Sequence, residues 1–209
     1  MQKINPLNNG KNIKLENELK AYINLLSDEQ KTKFWIKTLF SVYSNIPEVI
    51  KAVDKIIEIQ ASSMSFINDI YGTEKSTLSQ VEKVIDLSER KNNLLNIYLI
   101  TKNLFSTVSD EDKLFLERKY IFNWTADELA TEYNVSSRTI FRKLEKLIDS
   151  VYLSTKRKNW SLKFITLQVK NESWLSEKFK KIIRDYYLST KSFFPTTNLH
   201  HAHSQEMPE

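Results

Sequence analysis

The sequence predicts an all-α protein on three observations. Apolar residues recur at helical spacing in segment after segment, and a Ser or Thr stands where an N-cap is needed at Ser27, Ser109, Thr125 and Ser136. Only one stretch, SLKFITLQV, alternates in the manner of a strand, and a strand without a second to pair with is not a stable unit. The expected order is an N-terminal helical region, a long connecting helix, a helix-turn-helix domain and a small C-terminal element with a terminal helix.

Residues 1–12 are polar and Asn-rich and read as a disordered lead. Residues 13–76 form the N-terminal region, with three helices. Lys14 to Leu26 sets Leu15, Leu19, Tyr22, Ile23 and Leu26 on one side, and Ser27 caps a second helix to about Tyr43 that carries Phe34, Trp35, Leu39 and Phe40. Pro47, favoured in a first turn, opens a third through Ile59, with Val49, Ile50, Val53, Ile56 and Ile57 at helical spacing. From Ser62 to Thr77 a Ser/Thr cluster and Gly72 weaken the pattern and mark a hinge. The connecting helix, residues 77–108, is periodic through Val81, Val84, Leu87, Leu94, Ile97, Tyr98 and Leu104. It offers a surface for self-association, but polar residues from Ser88 to Asn93 break the seam of a coiled coil.

Residues 109–152 carry the most specific signal. Ser109 caps a leading helix whose Asp110, Glu111 and Asp112 complement the helix dipole, and Phe115, Leu116, Tyr120 and Ile121 give it a core face. Thr125 and Glu128 stand in the capping-box relation, so the next helix starts at about Ala126, and the small Ala130 lets its neighbour cross closely. Asn134 occupies the reversal, because Asn enters the left-handed region at little penalty, and Val135 is expected to plug the core beneath it. Ser136 caps a second helix with Ile140, Leu144 and Leu147 on its inner face and Arg138, Arg142, Lys143 and Lys146 on the others. Each of these features is common alone. Together, in this order and spacing, they specify a helix-turn-helix with a basic second helix.

After the motif, residues 153–190 read as a basic linker, STKRKNW, then SLKFITLQV, for which strand, helix and extended arm stay open, then a helix from about Ser173 to Tyr187. Residues 191–209, with Pro195 and the HHAH run, read as a disordered tail.

The run LFLERKYIFNWTADELATEYNVSSRTIFRKL resembles region four of bacterial sigma factors and the regulators that borrow it. The matching residues are Leu116, Arg118 and Tyr120, then Glu128, Leu129 and Ala130, then Val135, Ser136, Thr139, Ile140 and Arg142. The resemblance spans about Ser109 to Ser150 and implies that the second helix reads a promoter element. Upstream, KVIDLSERKNNLLNIYLITKNLFSTVSDEDK resembles phage-encoded transcription regulators of low-GC Gram-positive bacteria, which put a long helix before such a region. No segment matches the aromatic-rich helix with which complete sigma factors melt promoter DNA. Asn134 stands where the family often has Gly, and both tolerate the turn.

Composition narrows the chemistry. At 209 residues the chain has room for one or two small cores. It has no cysteine, which removes disulfides, thiolate metal sites and Cys nucleophiles and points to a cytoplasmic setting. No apolar run approaches the roughly 18–20 residues that cross a bilayer, so no membrane partner is expected. Two glycines, Gly10 and Gly72, cannot build a phosphate-cradling loop, and all three histidines, His200, His201 and His203, fall in the tail. No enzyme, cofactor or metal is expected: the HHAH imidazoles have no fixed geometry and no further ligands. The net charge of +5 is unevenly spread, acidic from Ser109 to Tyr133 and basic from Asn134 to Lys170.

The expected partner is double-stranded DNA. Ser137, Arg138 and Arg142 are the candidates for base edges, Arg above all because its fork matches the O6 and N7 of guanine. Thr139, Lys143, Lys146, Lys156, Arg157 and Lys158 are the candidates for phosphate, and Trp124 is expected to staple the start of the first motif helix rather than stack on sugar. One motif buries little surface, so a homodimer or a second DNA-binding partner is expected for a tight site. Three roles fit these residues: a sequence-specific transcription regulator, a sigma-like factor that binds core RNA polymerase, and a phage DNA-packaging or assembly protein.

Overall fold

The computed structural model describes residues 6–71 and 74–193, with the side chains of residues 15–63 and 78–190. Among these every regular element is an α-helix: α1 (Pro6–Leu25), α2 (Asp28–Val42), α3 (Ile46–Tyr71), α4 (Glu74–Phe105), α5 (Asp110–Tyr120), α6 (Ala126–Glu132), α7 (Ser137–Arg157), α8 (Leu162–Val169) and α9 (Ser173–Phe193). The all-α prediction is correct. No helix of the described residues is long and apolar enough to cross a membrane.

The organising element is α2. Ser27 caps it reciprocally, its hydroxyl accepting the Gln30 N–H at 3.2 Å while Gln30 Oε1 accepts the Ser27 N–H at 2.9 Å. Phe34, Trp35, Ile36, Leu39, Phe40 and Val42 are all buried, so most of the circumference is apolar, with Gln30, Lys33, Lys37 and Ser41 as the one polar strip, and such a helix has to be packed by several others. Helices α4, α5, α7, α8 and α9 enclose it. Its buried Thr32 and Thr38 donate their hydroxyls to the Asp28 and Phe34 carbonyls at 2.7 and 2.8 Å, so their burial leaves no orphan donor. Trp35 stacks on Phe179 of α9 at 4.2 Å, and Phe40 meets Phe105 of α4 at 4.3 Å. One buried cluster runs from Trp35 through Ile97, Phe115 and Ile140 to Leu175, so the N-terminal region, the long helix and the motif share a core. A smaller cluster of Leu19, Leu26, Phe34 and Ile183 fastens α1 to α9.

The structure revises several boundaries. Helix α1 begins at Pro6, inside the stretch read as a disordered lead. Helix α3 continues past Ile59 to Tyr71, so the hinge read across residues 62–77 is helical over most of its length, while Gly72 lies outside the described residues. Helix α4 folds back along α3, with Lys91 paired to Asp54 at 2.6 Å, and Tyr98 stacks on Tyr43 at the end of α2, so α4 is half of a hairpin rather than a connector. STKR forms the last turn of α7 instead of a linker. The chain then reverses at Asn159, in the left-handed region at φ 57°, and Ser161 caps α8. SLKFITLQV is therefore a helix. Ile165 and Val169, four residues apart, both reach the core, which a lone strand with no ladder partner could not achieve without orphaned backbone groups. Helix α9 runs on to Phe193, and the histidine tail lies outside the described residues.

Candidate nucleic-acid interface

The motif is built as its local chemistry dictates. Thr125 Oγ1 accepts the Glu128 N–H at 3.1 Å, and Glu128 Oε2 accepts the Thr125 N–H at 2.6 Å. Those bonds, the backbone one first, hold the Glu128 carboxyl below its ordinary pKa. Asn134 sits at φ 50°, and the Val135 N–H reaches back to the Ala130 carbonyl at 2.9 Å. Closing that bond turns the Val135 side chain outward, 40% exposed, so it does not plug the core as expected. Leu129, Ala130 and Ile140 fill that space. Ser136 then caps α7 by accepting the Thr139 N–H at 3.2 Å.

Two functions divide the length of α7. Its inner face, Ile140, Leu144, Leu147, Ile148, Val151 and Tyr152, is buried. On the outer face Arg138, Arg142 and Lys146 are exposed, one helical turn apart (about 6 Å of rise each), with no ion-pair partner among the described residues. A comparison with protein-family models, curated proteins and solved structures finds no match. The character of this surface therefore rests on its own geometry.

The other candidate residues are placed less freely. Ser137 donates its hydroxyl to Asp127 Oδ1 at 2.6 Å, tying the start of α7 to the first turn of α6. The Thr139 hydroxyl lies 2.9 Å from that of Ser136, within the cap. Lys143 turns towards α5, 3.2 Å from Asp112 and 3.4 Å from Glu111, with its ammonium over the rings of Phe115 and Tyr133. Burial works against that charge, yet the bonds and charges of Asp112 and Glu111 outweigh it and raise the Lys143 pKa above the ordinary lysine value. Lys156, Arg157 and Lys158 are exposed at the far end of α7, about 27 Å along the axis from Arg138, with Lys156 over Tyr152 and Lys158 over Trp160. The fold does not bring that run to the outward arginines. Between the two, Glu145 and Asp149 interrupt the face, Asp149 pairing with Lys33 at 2.8 Å. The cationic patch is thus confined to the first turns of α7.

Trp124 is half-buried against the core beneath the Arg118 guanidinium at 5.0 Å, while Lys119 donates to its carbonyl at 2.9 Å and Arg118 pairs with Glu132 at 2.9 Å. These contacts fasten the α5–α6 turn. The residue that sequence reasoning missed is Phe141, 56% exposed and flanking Arg138 and Arg142. Its signal was there to read, since it falls outside the Ile140–Leu144–Leu147 stripe. Two guanidinium forks beside an apolar plate form a surface of hydrogen-bond donors, suited to anionic and acceptor-rich partners.

Proposed function

We propose that the chain is a sequence-specific, double-stranded DNA-binding regulator of transcription that sets the first turns of α7 in the major groove. The observation that carries this reading is the pair Arg138 and Arg142, exposed on successive turns, without a carboxylate partner among the described residues, beside a helix-turn-helix whose caps and left-handed Asn are all formed. In that pose the two forks read purine edges, Phe141 lies against a thymine methyl, and Lys146 meets phosphate. Ser137 and Lys143, committed within the fold, position the helix instead of contacting a base and a phosphate respectively. The resemblance of this segment to sigma region four supports the transcriptional role, and a homodimer would supply the second half-site that a single short motif lacks.

The test is selection of bound duplexes from a randomised pool by the purified chain, followed by gel-shift titration of the selected site. Arg138→Ala and Arg142→Ala should each weaken the selected site about 10- to 100-fold, with little change on unrelated DNA. Equal binding of every duplex by both variants and the parent chain would remove α7 as the reading surface.

A further inference from the structure

Helix α4 has two apolar faces, and among the described residues only one is buried. Leu94, Ile97, Ile100 and Leu104 enter the core, the flank bearing Lys91 meets α3, and Tyr98 stacks on Tyr43 at the end of α2. A second stripe, Leu78, Val81, Ile85, Leu95 and Leu99, lies in water, each residue between 36% and 64% exposed. These residues follow alternating steps of three and four, and the same steps supply Ser88, Asn92 and Lys102 as the remaining positions of an unbroken heptad seam from Leu78 to Lys102. The polar break that obscures a coiled coil in the sequence is the centre of this seam.

We infer that this seam binds the same seam of a second copy of the chain, antiparallel, about a two-fold axis beside residue 90. Reversal about that point sets Val81 against Leu99, Ile85 against Leu95 and Ser88 against Asn92, apolar on apolar and polar on polar, as an isologous contact requires. The Ser88 hydroxyl already donates to the Val84 carbonyl at 2.8 Å, which leaves its oxygen to accept the partner's Asn92 amide. Lys102 decides the direction. A parallel pair would stack two Lys102 ammonium groups at one core layer, whereas the antiparallel pair sets each over Leu78, from which it extends to water. The five apolar side chains leave about 400 Å² exposed per chain, so two seams with their polar flanks reach the ~1,000 Å² of a specific interface. The association does not depend on what the cationic face of α7 contacts.

Sedimentation of the full chain over a concentration series should show a monomer–dimer equilibrium. Ile85→Glu with Leu99→Glu should weaken it at least about 100-fold with unchanged circular dichroism, whereas Ile59→Glu, at an exposed position on α3 outside the seam, should not. The chain has no cysteine of its own, so engineered pairs report the register directly. Ile85→Cys together with Leu95→Cys should give disulfide-linked dimers on mild oxidation, and Ile85→Cys alone should give few. A monomer at every concentration, or a dimer indifferent to the Glu pair, overturns the interface. Cross-linking by Ile85→Cys alone as readily as by the pair overturns the antiparallel register.

Discussion

Lys143 and Lys146 are both lysines of α7, and the structure assigns them opposite consequences. Lys143→Met keeps the aliphatic stem over Phe115 and removes the ammonium that joins α7 to Asp112 and Glu111 at the start of α5. Partly exposed ion pairs of this kind contribute about 0.5 kcal/mol each, and the cation–π contacts to Phe115 and Tyr133 add a similar amount. The expected loss is about 1–2 kcal/mol, or about 3–6 °C in Tm for a chain of this size. Glu111 and Asp112 sit near the surface, so the loss leaves no stranded buried charge. Lys146→Met removes an exposed charge and should leave the melt unchanged. On the DNA site selected by the parent chain, the same two variants should exchange roles: Lys146→Met flattens the log–log salt dependence of binding by about one unit, and Lys143→Met leaves it unchanged. Urea and thermal melts together with salt titrations separate the two. A Lys143→Met chain that melts normally but loses a unit of salt slope would refute the assignment of Lys143 to the fold.

Asn134→Ala should lower the urea midpoint by an amount worth about 1 kcal/mol, because alanine at φ 50° carries the left-handed penalty, while Asn134→Gly should stay within a few tenths. Arg90 grips the buried carboxylate of Glu172 with two bonds of 2.8 and 3.0 Å, so Arg90→Met should destabilise by about 3 kcal/mol by calorimetry, and Arg90→Lys, lacking the fork, should recover only part. Lys37 lies against the rings of Phe34 and Tyr186; burial depresses its pKa, Glu145 and Asp149 oppose that, and Lys33 adds to it. The unfolded chain then holds this proton more tightly than the folded one, so stability rises with pH between the depressed value and the ordinary 10.5. Lys37→Met should raise Tm at neutral pH and abolish that alkaline rise, measured by melts from pH 7 to pH 10.

What the sequence made legible was local. The Thr125–Glu128 box, the Asn134 turn and the Ser136 cap each close within four residues, so their chemistry is complete in a short window. What it concealed was tertiary. Nothing near Lys143 in the chain reveals Glu111, thirty-two positions earlier, and nothing near Ser137 reveals Asp127 as its hydroxyl's acceptor. In α4 two apolar stripes overlap on one helix, and together they blur the periodicity of each, so Leu94 and Ile97 could be read as core while the Leu78–Leu99 series could not be read as a face. SLKFITLQV shows the same limit for a short apolar run, whose strand and helix patterns differ too little until Ser161 is seen to cap it. Phe141 went unread because its neighbours Arg138 and Arg142 drew the polar face around it.

The shared core has a consequence for the motif itself. Residues 109–152, the span of the helix-turn-helix, take much of their burial from elsewhere: α2 lies against both α5 and α7, and Phe40 reaches Tyr120 at a ring distance of 5.9 Å. Cut from the chain, that span would expose Leu116, Leu147, Ile148, Val151 and Tyr152 where α2 and its neighbours now cover them. At about 1.5–3 kcal/mol for each large apolar side chain returned to water, the loss equals the whole stability of an ordinary domain, about 5–15 kcal/mol. A 109–152 fragment should therefore show weak helicity and no cooperative melt by circular dichroism, whereas the full chain melts as a unit. A cooperative melt of the fragment would mean that α5, α6 and the start of α7 hold their own core. If it does not melt cooperatively, α2, some hundred residues before Arg138, fixes the angle at which that arginine and Arg142 leave the surface, and substitutions at Trp35 or Leu39 become a means of moving them.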